Sequence, residues 1–122
     1  MLSWFRRQPR FDRAELLERW FVTAAASGSP RGLSWVSCSN AGAVVWAKSV
    51  TENQWLVLIP VSVQFEPLPG SELEDVPQAR EPRGVIAVFR YLGRRWVPDA
   101  RAVFNLTIPQ LLERSAGRWI AA

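Results

Sequence analysis

The chain has 122 residues, of which 48% are hydrophobic and 21% charged, and its formal net charge is +4. This length and balance predict one folded domain and exclude an intrinsically disordered chain. There is no histidine and only one cysteine, Cys38. Ser-His-Asp and Cys-His catalytic groups, histidine-based metal sites and an internal disulfide are therefore excluded.

Residues 1–10, MLSWFRRQPR, form a basic and aromatic N-terminal arm that lacks the apolar run of a signal peptide. Nowhere in the chain are 18 consecutive residues apolar, so we expect a protein without a transmembrane segment, located in the cytoplasm. Pro9 limits any helix in the arm. We expect Trp4 or Phe5 to dock on the domain, residues 11–122, or on a second copy of it.

A helix is predicted to begin after Asp12, whose side chain can cap the backbone at Glu15. The apolar residues that follow recur at helical spacing until the sequence SGSP: Leu16, Leu17, Trp20, Phe21 and Ala24. One face of this helix is expected to pack against other elements.

The middle of the chain is typical of β-structure. Asn40-Ala41-Gly42 separates two strand-like stretches and predicts a hairpin between them. The next strand, QWLVLIPVSVQFE, alternates apolar and polar residues, which indicates a sheet with one covered face. Leu56 and Leu58 break the alternation and indicate that this end is covered on both faces. Pro60 cannot donate to a ladder and predicts a bulge or an edge-facing position.

Residues 67–82 are rich in proline and acidic residues and predict a loop, either solvated and mobile or functional. A second hairpin follows, with Leu92-Gly93-Arg94-Arg95 at its tip. This register places Tyr91 opposite Trp96 and Phe89 opposite Pro98. Thr107 and Gln110 then predict a capping box for a short C-terminal helix that ends near Gly117.

The order of elements predicts an α+β fold in which the N-terminal helix packs on a curved, largely antiparallel, five-stranded sheet, followed by the short helix. This order resembles the cystatin-like and NTF2-like group of folds, in which a curved sheet wraps a helix. The resemblance covers most of the chain but includes no specific motif, and such folds serve many functions.

Catalysis is not expected. Tyr91 is the only tyrosine and Asp99 the nearest carboxylate in sequence, and the predicted register places them on opposite faces of the hairpin. The chain has no glycine-rich phosphate loop, no nucleophile elbow and no metal-ligand spacing. We therefore predict no catalytic residue, no cofactor and no metal.

Seven tryptophans are more than a small core is expected to hide, and exposed tryptophans are typical of interfaces. We predict a non-enzymatic protein interaction or assembly module that forms a homodimer through an aromatic sheet face. The candidate contact residues are Trp35, Trp46, Leu56, Leu58, Arg94 and Arg95.

Two alternative functions stay open. One is a nucleic-acid-binding accessory protein, although no nucleic-acid-binding motif is present. Its arginine-rich surface would combine the hairpin arginines with those near the N-terminus: Arg90, Arg95, Arg101, Arg6, Arg7, Arg10 and Arg13. The other is a cup that binds a small apolar ligand.

Overall fold

The computed structural model describes residues 8–99 and 102–122, and within them it shows the predicted α+β fold. A helix, α1, is followed by three strands, a loop with a short 3-10 helix (Pro77–Arg80), three more strands, a second helix and a last strand. The elements are α1 (Arg13–Ser27), β1 (Leu33–Asn40), β2 (Val45–Ser49), β3 (Gln54–Pro67), β4 (Arg83–Leu92), β5 (Arg95–Pro98), β6 (Val103–Phe104), α2 (Ile108–Arg114) and β7 (Trp119–Ala121).

The start of α1 is where the sequence predicts it. The Asp12 side chain accepts a hydrogen bond of 3.3 Å from the backbone N–H of Glu15. This satisfies one of the backbone donors that a helix N-terminus leaves free. The helix buries Leu16, Leu17, Trp20 and Ala24 against one face of the sheet. That face is therefore covered within the chain.

The predicted hairpin at Asn40-Ala41-Gly42 is wrong, because β1 and β2 do not pair with each other. Both pair antiparallel with the same edge of β3, β1 with its second half and β2 with its first. Four residues, Ala41 to Val44, lie opposite only Ile59 and Pro60. The connection is therefore a wide bulge between two strands that share β3 as their partner. β3 has 14 residues, which is long enough to pair with both strands.

Pro60 lies opposite this bulge, and its position there explains how a central strand accommodates a proline. Its carbonyl oxygen accepts a hydrogen bond of 2.8 Å from the N–H of Ala41. In an extended strand the N and C=O of one residue point to the same side, so the missing N–H of Pro60 falls in the gap between β1 and β2. No regular ladder bond is lost there.

The β4–β5 hairpin has the predicted register, with Tyr91 opposite Trp96 and Phe89 opposite Pro98. Its two-residue turn, Gly93-Arg94, has φ angles of 54° and 66°. Two positive φ angles are required by the type I′ turn that matches the twist of paired strands. Arg94 therefore adopts a left-handed conformation that an L-residue rarely takes.

The opposite face of the sheet is covered by α2. Thr107 and Gln110 form the predicted capping box, with bonds of 3.3 and 2.9 Å. Ile108 of α2 packs with Leu56, Leu58 and other residues of the second apolar cluster. The predicted covering of both faces at this end of β3 is confirmed.

Seven strands form the sheet, in the order β5-β4-β3-β2-β7, with β1 also on β3 and β6 also on β4. The predicted fifth strand, residues 94–107, is divided into β5 and the two-residue β6, and β7 is an additional strand. β7 has three residues, which is too short for an alternation of apolar residues to be visible in the sequence.

The loop at 67–82 packs on the domain instead of extending into solvent. Ala79 is buried, and Leu73 and Val76 contact the main core. The Gln64 amide donates to the carbonyl of Arg80, and the backbone N–H of Gly70 donates to the Glu74 carboxylate at 2.8 Å. Its acidic side chains stay mostly on the surface, while its apolar residues close one end of the core.

Candidate interaction surface

Most tryptophans contribute to the core on the α1 face of the sheet. Trp20 and Trp96 are buried, and the rings of Trp35, Trp46 and Trp55 pack partly covered against this core. One aromatic group joins Trp20, Phe21, Trp35 and Phe65, and another joins Phe11, Trp46, Trp55, Tyr91 and Trp96. The large number of tryptophans is therefore explained mainly by packing. Trp4 lies outside the described residues.

Trp35 and Trp46 are both held by neighbours within the chain. The Trp35 ring lies 4.8 Å from that of Phe65 and 5.8 Å from that of Phe21, and its Nε1 donates to the carbonyl of Gly28 at 2.9 Å. The Trp46 ring lies 5.4 Å from that of Phe11. Each keeps part of its surface accessible.

Leu56 and Leu58 are fully buried, with no exposed surface. They lie on the face that α2 covers, whereas Trp35 and Trp46 lie on the α1 face. The structure does not bring these four residues together. A contact surface that includes both leucines would require α2 to move away.

Arg94 and Arg95 are exposed at the tip of the β4–β5 hairpin. The hairpin is at one edge of the sheet, and β1 with Trp35 is at the other. The two arginines therefore lie far along the sheet from Trp35. The six predicted contact residues do not form one surface.

The open edge of β1 is the feature that the sequence did not reveal. β1 pairs with β3 on one side, and no other described strand pairs with it. The strand LSWVSCSN has eight residues with neither a charge nor a proline, the two features that commonly protect exposed edges. A bulge at Val36 interrupts its ladder and leaves this valine 47% exposed. Ser37–Asn40 continue as a regular stretch.

A surface groove of about 590 Å³ runs beside this edge, between β1 and α1. Its apolar lining comes mainly from Ala14, Leu17, Phe21 and Cys38. Arg13 and Glu18 lie at the same groove, both exposed. An unpaired edge beside an apolar groove is the arrangement that binds an added strand, because the backbone supplies hydrogen bonds and the groove accepts side chains.

Cys38 is a half-buried thiol in this groove. Its Sγ lies 4.0 Å from the carbonyl oxygen of Leu17. Burial raises the pKa of the Cys38 thiol above its ordinary value, because the thiolate is poorly solvated there. Such a thiol is a weak nucleophile near neutral pH, as expected for a packing residue.

Tyr91 and Asp99 lie on opposite faces, as the register predicts. The Tyr91 ring packs 5.0 Å from Trp96 on the α1 face. The Asp99 carboxylate lies 3.8 Å from the Arg90 guanidinium, on the other face. Among residues 8–99 and 102–122, no group of three or more cysteine or acidic side chains is arranged to hold a metal ion. In the same part of the chain, no helix has the length and apolar character needed to cross a membrane.

Comparison with known proteins gives no relative: no family model, no curated protein and no solved structure matches this chain.

Proposed function

We propose that the protein is a non-catalytic assembly module that forms a homodimer through the open edge of β1. This proposal depends on the outer edge of β1. The strand has eight residues without a charge or a proline, and among the described residues no strand pairs with its outer side. An exposed strand edge presents unpaired N–H and C=O groups to which another chain can pair, and beyond the bulge at Val36 the regular stretch of this edge is Ser37–Asn40. In this interface two copies of β1 run antiparallel and join the two sheets.

A second copy fits this surface better than a charged partner does. β1 carries no charge, so two identical edges approach without repulsion. The groove beside it presents one residue of each sign, Arg13 and Glu18, and neither forms an ion pair within the described chain. A two-fold axis repeats both residues, so each copy offers a positive and a negative group to the other.

The exposed apolar surface near the edge also supports association. Val36 lies at the bulge and is 47% exposed, and Val22 of α1, one helical turn beyond the groove residue Glu18, is 63% exposed. Burial of apolar area of this kind stabilises an interface by about 25 cal/mol per Å² before the costs of association are subtracted. Backbone hydrogen bonds fix the register, and these side chains add affinity.

The two alternative functions have less support. The concave face of the sheet is filled by Trp20, Phe65 and Phe89, none of which has exposed surface. An apolar ligand therefore has no enclosed space there within the described chain. For nucleic-acid binding, Arg6, Arg7 and Arg101 lie outside the described residues. Arg10 lines one groove with Arg19 and Arg95, but the carboxylates of Asp12 and Glu15 in the same groove offset part of this charge, and Arg13 lines a different groove.

The test is the oligomeric state of Val36→Lys, measured by analytical ultracentrifugation over a concentration series. The substitution places a positive charge on each edge, and we expect the dimer to weaken by about tenfold or more. Val36 is half exposed, so the stability of the monomer should hardly change, which urea unfolding verifies.

Val50→Lys is the matched control. Val50 is also an exposed valine, at 57%, but it lies in the turn between β2 and β3. This variant should dimerise like the wild type. The proposal fails if the wild type is monomeric at all concentrations, or if the two lysine variants associate equally well.

A further inference from the structure

A second surface, on the α2 side of the sheet, is a cleft of about 290 Å³. It lies between the β2–β3 turn, β4 and the segment that follows α2. Its lining includes three arginines, an aromatic ring and one carboxylate: Arg90, Arg114, Arg118, Trp119 and Glu52. It is far from the β1 edge and independent of the proposed dimer.

Arg90 forms the fixed inner wall of the cleft. Its guanidinium lies 3.5 Å from Glu52 and 3.8 Å from Asp99, and 5.2 Å over the ring of Trp119. Two carboxylates and an aromatic face restrict its rotation. The positive charge of Arg90 is thereby balanced by carboxylates on the protein itself.

Arg114 and Arg118 are less completely paired. The Nε of Arg118 donates to the carbonyl of Ser115 at 3.0 Å, which leaves its terminal N–H groups available. Arg114 forms no ion pair within the described residues. Both side chains are exposed at the cleft. The cleft therefore has more positive than negative charge.

The backbone after α2 brings these two arginines to the same cleft. Ala116 and Gly117 have φ angles of 54° and 81°, and the N–H of Arg118 returns to the carbonyl of Ser115 at 3.1 Å. A left-handed alanine costs about 1–2 kcal/mol relative to the ordinary conformation. The tight turn that includes this residue reverses the chain and directs Arg118 back toward the helix end.

We propose that this cleft binds the phosphate group of a small phosphomonoester. Guanidinium groups bind phosphate oxygens through paired, charge-assisted hydrogen bonds, and two of them match a dianion. The Thr51 hydroxyl, also in the lining, is a further donor at the cleft. The volume admits one phosphate with a small substituent.

The test uses NMR titration of the full-length protein with inorganic phosphate and with phenyl phosphate at low salt, following the indole N–H signal of Trp119. We expect saturable shifts with both probes and tighter binding of phenyl phosphate. Arg114→Gln combined with Arg118→Gln should weaken binding at least about tenfold, the effect of losing one charge-assisted hydrogen bond.

Arg10→Gln combined with Arg31→Gln removes the same charge from exposed positions outside the cleft and should bind like the wild type. The inference is overturned if neither probe binds at low salt, or if both double variants bind equally. It is also overturned if a single-stranded oligonucleotide binds while the small phosphates do not. The oligomeric state of the protein affects none of these outcomes.

Discussion

The indole Nε1 of Trp35, in β1, donates a hydrogen bond of 2.9 Å to the carbonyl oxygen of Gly28, the C-cap residue that follows α1. The same ring packs edge-on against Trp20, at 5.9 Å between ring centres. Trp35 thus fastens the edge strand to the helix. It holds the open edge of β1 and the adjacent groove in one arrangement before any partner binds.

We expect Trp35→Phe to lower the free energy of unfolding by about 1–2 kcal/mol, because it removes this hydrogen bond and part of the ring packing. Urea unfolding of the monomer measures the change. If Trp35 acted only as a partner contact, Trp35→Phe would leave the free energy of unfolding unchanged and would abolish association, which would contradict this prediction.

Leu58→Ala should lower the free energy of unfolding by about 2–5 kcal/mol, because Leu58 has no exposed surface and lies between the sheet and α2. The same urea titration measures it. Folded Leu58→Ala should still dimerise with wild-type affinity. Loss of association in the folded variant would show that the α2 face is the interface.

Arg94→Gly should raise the free energy of unfolding by about 0.5–1 kcal/mol. Glycine adopts the positive φ of this turn without strain, and the greater entropy of glycine in the unfolded chain offsets part of that gain. Thermal and urea unfolding measure the gain. Arg95→Gly is the control: Arg95 is in β5, where glycine weakens a strand. Equal effects of the two substitutions would contradict the turn assignment.

The rate of alkylation of Cys38 should rise with pH, with a midpoint above that of the same thiol in the unfolded chain. Burial raises its pKa, so the folded state holds the proton more tightly than the unfolded chain. The contribution of the protonated thiol to the free energy of unfolding is therefore present at lower pH, and it is lost as the pH rises through the pKa of the folded state. Iodoacetamide kinetics at low protein concentration measure the midpoint. A midpoint equal to that in urea would contradict burial of the thiol.

Local signals in the sequence predicted much of the fold. The cap at Asp12 marks the start of α1, and Gly93 marks a two-residue turn that fixes the pairing of Tyr91 with Trp96. Each of these signals acts over a few residues. The alternation in β3 likewise identified the covered face, because successive side chains point to opposite sides.

Long-range pairing could not be predicted in this way. Asn40-Ala41-Gly42 has the residues of a hairpin turn, yet residues of these types also form bulges. The choice depended on β3, whose length allows both β1 and β2 to pair with it.

The candidate surface was only partly predictable for the same reason. Trp35 is part of β1, but the unpaired side of that strand depends on where β7, about eighty residues later, joins the sheet. Leu56 and Leu58 are buried by α2, some fifty residues further along the chain. The broken alternation at Leu56 and Leu58 indicated that a second element covers them, but not that this element is α2. The unpaired side of β1 leaves no pattern in its residues.

Hydrogen–deuterium exchange at two protein concentrations tests the central claim most directly. Pairing of two β1 edges gives partners to the outward-pointing amides of this strand, so peptides covering residues 34–40 should take up deuterium about tenfold more slowly at high concentration. Peptides covering β5, at the opposite edge, should be unchanged. If exchange in β1 does not depend on concentration, or if protection appears only elsewhere, the β1 edge is not the interface.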